Sequence, residues 1–257
     1  MMIVKLGGSV ITHKGRYRSF RRDVTKRLAG EIAGSGERVI VVHGAGSFGH
    51  LLAAKHALHE GRKDEKQIPA LARVMRDVRD LDQKVLAELQ EAFLPAVSIP
   101  PAACARMKGG VLKSLDTKLF RAYTELGAMP VTFGDVVLDE TKGFSICSGD
   151  QLIRLLTKEF APERVVFCAD VDGVCSSDPK TDKCARLLRT VDSSCLDSVS
   201  KGTCYVDVTG GMHGKLSNML EIAKGGADVM VINGLEKGRL KAALQGKEPV
   251  GTRVVGV

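Results

Sequence analysis

Four glycine-rich turns stand at the ends of predicted strands or helices, where they could bind an anion. They are Gly7-Gly8-Ser9, Gly44-Ala45-Gly46-Ser47, Ser148-Gly149-Asp150 and Gly210-Gly211. Glycine allows backbone N–H groups to converge and a phosphate to approach without a Cβ in the way, and a helix N-terminus adds a favourable dipole. Tight turns need glycine in any case, so one such turn is a weak indication. Four in one chain favour a phosphate-rich ligand.

Three lysines accompany these turns. Lys5 lies within an apolar run, Lys14 in the loop that follows it, and Lys215 one turn into the predicted helix after the last glycine pair. A lone lysine is most often a solvated surface charge. Lys5 is different, because burial in an apolar strand requires an anionic partner. Three converging ammonium groups suit phosphoryl transfer, which depends on positioning and charge neutralisation.

The common nucleotide-binding motifs do not fit this chain. There is no G-x-x-x-x-G-K-[ST] sequence. The run from Gly44 to Gly49 matches G-x-G-x-x-G after a strand, but a dinucleotide site also needs a second strand ending in an acidic residue about 20 residues on. A helix and a basic loop follow His50 instead. Asp170 and Asp172 follow another buried strand, where acidic residues suit either a ligand crevice or ordinary turn chemistry.

Composition narrows the class of protein. Hydrophobic residues make up 44% and charged residues 26%, no apolar run is long enough to cross a bilayer, and residues 1–10 lack a signal-peptide pattern, so we expect a cytoplasmic protein. The seven cysteines include no C-x-x-C pair, which indicates free thiols rather than zinc ligands or disulfides. Much of the net charge of +8 lies within residues 14–27. Without a nucleic-acid motif, a solvated helix face is the better interpretation.

Alternating strands and helices predict an α/β fold, a three-layer αβα sandwich with a mostly parallel central sheet, formed as one domain over residues 1–257. The predicted strands cover residues 2–6, 38–42, 131–133, 165–169, 229–232 and 252–257, with a hairpin of 136–138 and 144–147. The predicted helices cover residues 23–33, 68–93, 116–126, 151–160, 212–223 and 235–244. One stripe of the longest helix predicts core packing, with a ligand wall or a dimer contact as alternatives: Ile68, Leu71, Met75, Val78, Val85 and Leu89. Asp82 interrupts that stripe.

Several segments resemble the amino acid kinase superfamily, in an order and spacing that span nearly the whole chain. They are Lys5-Leu6-Gly7-Gly8-Ser9, Val42-His43-Gly44-Ala45-Gly46, Ala169-Asp170-Val171-Asp172-Gly173-Val174 with Asp178-Pro179, and Thr209-Gly210-Gly211-Met212 with Lys215. The resemblance implies an acceptor-binding lobe over about residues 1–160 and a nucleotide-binding lobe over about 161–257. Within the superfamily, the loop that ends at His50 resembles that of the isopentenyl phosphate kinases, and fosfomycin kinase shares much of the pattern.

The resemblance implies a reaction of isoprenoid biosynthesis, in which ATP and Mg²⁺ convert isopentenyl phosphate to isopentenyl diphosphate. It also implies a homodimer, without nucleic-acid or membrane partners. The implied catalytic residues are Lys5, Lys14, His50 and Lys215. The acceptor would be held by Ala45, Gly46, Gly49, His50 and Gly149. The nucleotide would be held by Lys5, Leu6, Gly7, Gly8, Ser9, Gly46, Asp170, Cys175, Ser176, Ser177, Asp178, Pro179, Lys180, Gly211 and Lys215. No metal-ligating residue is assigned. Cys175 replaces a common tyrosine and Ala169 a hydroxyl residue, which leaves details of the adenosine pocket open.

An acceptor that is itself a phosphate monoester, with a second pKa near 6, is already an ionised nucleophile, so no general base is required. His50 would donate a hydrogen bond to it, and part of the 71–78 stripe, together with Ile146, would line an apolar slot. Other acceptors remain as alternatives, namely fosfomycin, uridylate or an amino-acid carboxylate. His50 disfavours the amino-acid kinases, which have no acceptor phosphate. A non-enzymatic nucleotide or oxyanion binder is disfavoured by the three lysines.

Overall fold

The computed structural model describes residues 1–177, 182–195 and 212–256, and only the backbone of 212–215. The strands are β1 Met2–Leu6, β2 Val39–His43, β3 Ala96–Ser98, β4 Ala105–Lys108, β5 Val111–Leu115, β6 Met129–Phe133, β7 Asp135–Asp139, β8 Gly143–Cys147, β9 Arg164–Ala169, β10 Thr190–Val191, β11 Asp228–Asn233 and β12 Gly251–Val254. The α-helices are α1 Gly8–Ile11, α2 Arg22–Ala33, α3 Gly46–Lys55, α4 Gln67–Glu91, α5 Pro101–Cys104, α6 Thr117–Glu125, α7 Gly149–Phe160, α8 Met212–Lys224 and α9 Arg239–Leu244, with a 3₁₀ turn at Leu58–Glu60.

The larger sheet has the strand order β10-β12-β11-β9-β1-β2-β6-β3. Its neighbouring strands pair in parallel, apart from the antiparallel pair β11 and β12. Every residue of β1 and β2 is buried. Their apolar, β-branched sequences follow from this position, because helices cover a parallel sheet on both faces. The predicted mostly parallel sheet is confirmed.

Helices pack on both faces of this sheet, which gives the predicted three layers. One hydrophobic cluster joins the sheet to α6, α7 and α8, through side chains such as Phe120, Leu152 and Leu216. The other cluster joins the opposite face to α2, α4 and α9, through side chains such as Leu28 and Leu240. Within β1, Ile3 lies in the first cluster while its two neighbours, Met2 and Val4, lie in the second, as the two-residue period of a strand requires.

A smaller sheet, β5-β4-β7-β8, lies beside the larger one. The predicted hairpin is its antiparallel pair β7 and β8. A third hydrophobic cluster packs α3 and α4 against these strands, through side chains such as Val74, Val136 and Phe144. The long helix α4 therefore touches both the core of the large sheet and the small sheet, so it can place side chains between them.

Some predicted boundaries are wrong. The helix predicted at 235–244 begins at Arg239, because the chain turns first and Gly238 adopts a φ of +81°. The last strand ends at Val254 rather than 257. Ile68 does not belong to the buried stripe of α4, since it is 43% exposed in the first turn of the helix. In the described ranges, no helix is long and apolar enough to cross a membrane.

Candidate active site

Two glycine turns meet at the carboxyl ends of β1 and β2. The parallel register pairs Leu6 with His43, so the turns that follow these residues lie side by side. A Cβ on Gly8 would lie 2.5 Å from the backbone nitrogen of Gly46, and one on Gly44 would lie 2.6 Å from the backbone nitrogen of Gly8. Glycine is therefore required for this contact, which brings the starts of α1 and α3 together.

Two backbone nitrogens lie at equal distances from one point beside these turns. A Cβ added to Gly134 would lie 3.7 Å from the nitrogens of both Ala45 and Gly149. Among the hydrogen bonds of the described residues, neither N–H has a protein acceptor. Gly149 is the first residue of α7, so the helix dipole adds to the attraction of this point for an anion. The sequence reasoning missed Gly134, although a glycine directly after a strand is a recognisable signal.

Lys5 lies inside this cleft and has the anionic partner that its burial requires. Its side chain is 9% exposed, and its Nζ lies 2.5 Å from Oδ1 of Asp150, whose side chain is 2% exposed. The ammonium group also lies 5.7 Å from the centre of the Phe167 ring. The cleft is lined by Lys5, Gly8, Ser9, Ala45, Gly49, His50, Gly134 and Gly149, among others. The structure thus brings Lys5 together with the glycine turns, as predicted.

Lys14 and His50 line a second hollow, which shares Ser9 and His50 with the cleft. The Nζ of Lys14 lies 3.4 Å from Oδ2 of Asp170, and the Ser9 hydroxyl donates a 2.8 Å hydrogen bond to Oδ1 of the same carboxylate. Asp170 follows β9, so one carboxylate connects the first glycine turn to the loop that carries Lys14. His50 is an exposed residue of α3 at the mouth of both spaces.

One wall of the cleft is apolar. It consists of Ala53, Val74, Val78, Val136, Ile146 and Cys147. Ile146 and Val78, two of the residues predicted to line an apolar slot, lie in this wall, and Val74, which the predicted stripe did not include, lies there as well. Leu71 and Met75 are half-buried against the third hydrophobic cluster and do not line the cleft as described. An apolar wall opposite an anion site suits a ligand with a phosphate at one end and a hydrocarbon at the other.

Two further groups of the cleft have shifted pKa values. Burial raises the pKa of Asp135, against the opposing effect of Arg79, whose Nη2 lies 3.1 Å from that carboxylate. Burial likewise raises the pKa of the Cys147 thiol well above its usual range, with Asp135 acting in the same direction. A thiol that stays protonated is a poor nucleophile, so covalent catalysis by Cys147 is disfavoured.

The structure describes only some of the residues that are predicted to bind the nucleotide. Cys175 is buried and pairs with Leu187 in a β-bridge, and the backbone N–H of Ser176 donates to the carbonyl of Arg186 at 2.9 Å. Ser177 donates a hydrogen bond to Asp182 at 2.6 Å. Among the predicted nucleotide-binding residues, those outside the described part are Asp178, Pro179, Lys180 and Gly211, together with the side chain of Lys215. The nucleotide side of the site therefore stays a prediction.

A three-layer αβα fold, whose cleft brings a buried lysine close to glycine turns and a helix N-terminus, is typical of a protein that binds phosphorylated small molecules. The chain belongs to the amino acid kinase family, whose family model matches residues 1–233. It is 40% identical to isopentenyl phosphate kinase of Methanothermobacter thermautotrophicus, over 100% of this chain and 99% of that protein. It is 36% identical to the Thermoplasma acidophilum isopentenyl phosphate kinase, over 91% of this chain and 92% of that protein.

Solved structures agree with these relatives. An X-ray structure of isopentenyl phosphate kinase has a TM-score of 0.88 and 36% identity, covering 99% of this chain and 100% of the other. A crystal structure of an isopentenyl phosphate kinase substrate complex has a TM-score of 0.83 and 32% identity, over 99% and 100% of the two chains. Carbamate kinase from Giardia lamblia, at 17% identity and a TM-score of 0.70, shares the fold.

Proposed function

We propose that the protein transfers the γ-phosphate of ATP to isopentenyl phosphate, giving isopentenyl diphosphate and ADP. The observation that carries the proposal is the cleft itself, in which the backbone nitrogens of Ala45 and Gly149 lie close to one point and an apolar wall containing Val78 and Ile146 lines the same space. That combination fits a short hydrocarbon chain ending in a phosphate. The curated isopentenyl phosphate kinases, which match this chain along nearly all of its length, support the same acceptor.

The chemistry requires charge neutralisation more than proton transfer. An oxygen of the acceptor phosphate attacks the γ-phosphorus of ATP, and the bond between that phosphorus and the oxygen bridging to the β-phosphate breaks as ADP leaves. The acceptor is largely dianionic at neutral pH, so no base has to remove a proton. The barrier comes from repulsion between two anions, which cationic side chains and fixed N–H groups reduce. We assign this role to Lys5, Lys14 and Lys215, and to the amides of Ala45 and Gly149.

Mg²⁺ fits this site as an ion bound mainly by ATP. Among the described residues, no group of three or more His, Cys, Asp or Glu side chains could hold a metal ion. The carboxylates of Asp150 and Asp170, near the cleft, are paired with Lys5 and Lys14. Mg²⁺ is commonly held by substrate phosphates and one or two carboxylates, and in this proposal Asp150 and Asp170 would supply the carboxylates. When bound, it would neutralise charge on the transferred phosphate.

We further propose a cytoplasmic homodimer that acts on small molecules and binds neither nucleic acid nor membranes. The dimer rests on resemblance to the superfamily, and light scattering after gel filtration tests it. The cytoplasmic location is supported by the free thiols of the described cysteines, Cys104, Cys147, Cys168, Cys175, Cys184 and Cys195, because unpaired cysteines are typical of a reducing compartment.

The test of the main proposal is ADP formation that depends on isopentenyl phosphate, with the product identified by mass spectrometry. Fosfomycin and uridylate serve as comparison acceptors. ADP formation that is independent of isopentenyl phosphate, or faster with fosfomycin, would contradict the proposed acceptor.

The role of His50 is tested by replacing it with alanine. We expect His50→Ala to lower kcat/KM for isopentenyl phosphate by about 100-fold, because one donor to the phosphate is lost, while ATP binding measured by calorimetry stays near normal. His59→Ala is the matched control, since His59 lies on the 3₁₀ turn with a side chain that is 64% exposed and outside the cleft. Retained turnover in His50→Ala would remove His50 from the mechanism.

A further inference from the structure

Two buried polar residues near the acceptor site have no role in the mechanism described so far. His43 is the last residue of β2 and is 0% exposed, and Asp82 lies on α4 and is 1% exposed. Burying such groups is costly unless they are hydrogen-bonded, so a specific arrangement must compensate for their burial. Both stand out in the sequence, since His43 begins the second glycine turn and Asp82 interrupts an apolar stripe.

The arrangement is a chain of hydrogen bonds that ends on the acceptor loop. Nδ1 of His43 lies 3.2 Å from the carbonyl oxygen of Gly44, and Nε2 lies 3.2 Å from Oδ1 of Asp82. The Ser98 hydroxyl donates a 2.5 Å hydrogen bond to the other oxygen of Asp82. The imidazole also stacks on Phe133, with ring centres 5.2 Å apart. The ring is thus fixed by contacts at its edge and on its face.

The direction of one hydrogen bond follows from chemistry. A carbonyl oxygen has no proton to donate, so Nδ1 of His43 must be the donor to Gly44. Nδ1 keeps this role whether Nε2 donates to an ionised Asp82 or accepts from a protonated one. The histidine therefore anchors the Gly44 carbonyl through an N–H group whose direction is set by Asp82 and Phe133.

Anchoring that carbonyl determines where the next amide points. The carbonyl of Gly44 and the N–H of Ala45 belong to one planar trans peptide, in which the two groups point in opposite directions. A peptide next to glycine rotates easily, because glycine tolerates most backbone angles. With its carbonyl held by His43, the peptide directs the Ala45 N–H away from the imidazole, and the Ala45 nitrogen lies 3.7 Å from the Cβ position of Gly134, as the Gly149 nitrogen does.

We propose that His43, oriented by Asp82, is a positioning residue that fixes the Gly44–Ala45 peptide so that the Ala45 N–H binds the acceptor phosphate. The inference rests on the proposed function, which places that phosphate in the cleft. His43 itself is fully buried and acts through the peptide it holds. The pair thereby connects helix α4 to the acceptor site.

Three variants test this role. His43→Leu removes the donor by placing an apolar residue of similar size at this position. His43→Asn keeps it, because the side-chain nitrogen of asparagine is as many bonds from Cβ as Nδ1 of histidine. Leu240→Ala is a structural control, since Leu240 is fully buried in α9 and belongs to a core cluster rather than to the cleft lining. Thermal unfolding of each variant shows how much stability is lost.

We expect His43→Leu to raise the KM for isopentenyl phosphate about 10-fold, the typical effect of losing one well-aligned hydrogen bond to a charged group. The KM for ATP should change much less. His43→Asn should recover most of the loss, and Leu240→Ala should lower stability without changing either KM. An unchanged KM in His43→Leu, or equal impairment in the asparagine and leucine variants, would overturn the proposal.

A second measurement separates this inference from the proposed function. In ¹⁵N-histidine-labelled protein, the His43 Nδ1 resonance should have the shift of a protonated nitrogen, with or without substrate. If the wild type fails to phosphorylate isopentenyl phosphate but Nδ1 is protonated, the proposed acceptor is wrong and the anchored peptide stands. If Nδ1 lacks a proton, the positioning role of His43 is overturned, whatever the acceptor.

Discussion

A charged side chain inside a strand is costly, and Lys5 shows how the chain compensates for that cost. Its partner Asp150 lies 145 residues later in the sequence, at the start of α7. The ion pair leaves the ammonium group within the cleft, next to the amides that face the anion site. Lys5 therefore contributes both to the stability of the fold and to the proposed phosphoryl transfer, and suitable variants can measure the two contributions separately.

We expect Lys5→Met to lower the free energy of unfolding by about 3–5 kcal/mol, because the Asp150 carboxylate would remain buried without a partner. The double variant Lys5→Met/Asp150→Asn should recover most of this stability, since the unpaired charge is gone, but not the activity. Urea unfolding and ADP formation are the two measurements. A double variant that turns over substrate would show that Lys5 has no part in phosphoryl transfer.

The sequence predicts single residues well where the residue type itself is unusual for its surroundings. A lysine in an apolar strand and glycines after strands are such signals, and the structure places them together. Partners are harder to predict, because they depend on how distant segments pack. Asp150, Gly134 and Asp82 reach the site through sheet register and helix packing, which one sequence does not reveal.

At the scale of elements, the loop between α1 and α2 is attached to helix α4. The Tyr17 hydroxyl donates to Asp77, which is 0% exposed, and Nη2 of Arg18 lies 2.7 Å from Asp80. A β-bridge between Thr12 and Phe20 closes the base of the loop. Lys14 lies in this loop, so the attachment restricts where its ammonium group can go.

We expect Tyr17→Phe to lower kcat about 3- to 10-fold, which corresponds to about 1 kcal/mol for one lost hydrogen bond. The KM for isopentenyl phosphate should change little, because the acceptor loop is not altered. Tyr123→Phe is the control, since Tyr123 packs against the core on α6, on the other face of the sheet. Equal effects of the two substitutions would contradict a special role for the loop attachment.

The small sheet depends on one buried carboxylate. Asp139, 5% exposed, accepts hydrogen bonds from the amides of Gly110, Thr141 and Lys142 and from the Ser145 hydroxyl, among others. It thereby fixes both the β4–β5 turn and the β7–β8 turn. Burial alone would raise the pKa of Asp139, but the hydrogen bonds from Gly110, Lys142, Ser145 and Thr141 together hold that pKa well below its usual range.

We expect Asp139→Asn to lower the free energy of unfolding at pH 7 by about 2–4 kcal/mol, because an amide cannot accept all of these bonds. The pKa of Asp139 is lower in the folded than in the unfolded chain. Its stabilisation is therefore present above the unfolded pKa of about 4 and is lost as the pH falls below it. Urea unfolding across this range should show the difference between variant and wild type shrinking at acidic pH.

Asp64→Asn is the control for that series, because Asp64 is exposed and accepts a local bond from the amide of Lys66. A difference that stays constant as the pH falls would contradict the assignment of the effect to the Asp139 carboxylate.

Elements were predictable from the sequence where hydrophobic periodicity is strong. The buried strands β1, β2 and β9, the hairpin of β7 and β8, and the long helix α4 follow from it. The hairpin of β4 and β5 was missed. Its two strands contain charged residues at exposed positions, and the register shifts between Arg106 and Met107, so the alternation is short and interrupted. Tertiary pairing stabilises these strands more than their own sequence does.

At the scale of the whole molecule, the acceptor cleft lies between two sheets and the helix that contacts both. The large sheet contributes the glycine turns, the small sheet contributes Val136 and Ile146, and α4 contributes Val74 and Val78. In the proposed function, backbone amides and His50 hold the phosphate end of the acceptor, whereas only side chains line the hydrocarbon end. The sequence predicts which residue types form the apolar wall, but the depth of the slot depends on how closely the two sheets pack. Acceptor length should therefore be easier to change than acceptor charge.

We expect Ile146→Ala to lengthen the slot and to shift the ratio of kcat/KM toward a longer acceptor, such as geranyl phosphate, by about 10-fold relative to isopentenyl phosphate. Pocket changes of a few methylene groups typically alter specificity by this amount. Leu138→Ala is the matched control, because Leu138 lies in the same small sheet but is 61% exposed and outside the cleft. Competition between the two acceptors in one reaction gives the ratio directly. If Ile146→Ala leaves the ratio unchanged, the hydrocarbon does not lie against Ile146, and the acceptor must enter the cleft along a different wall.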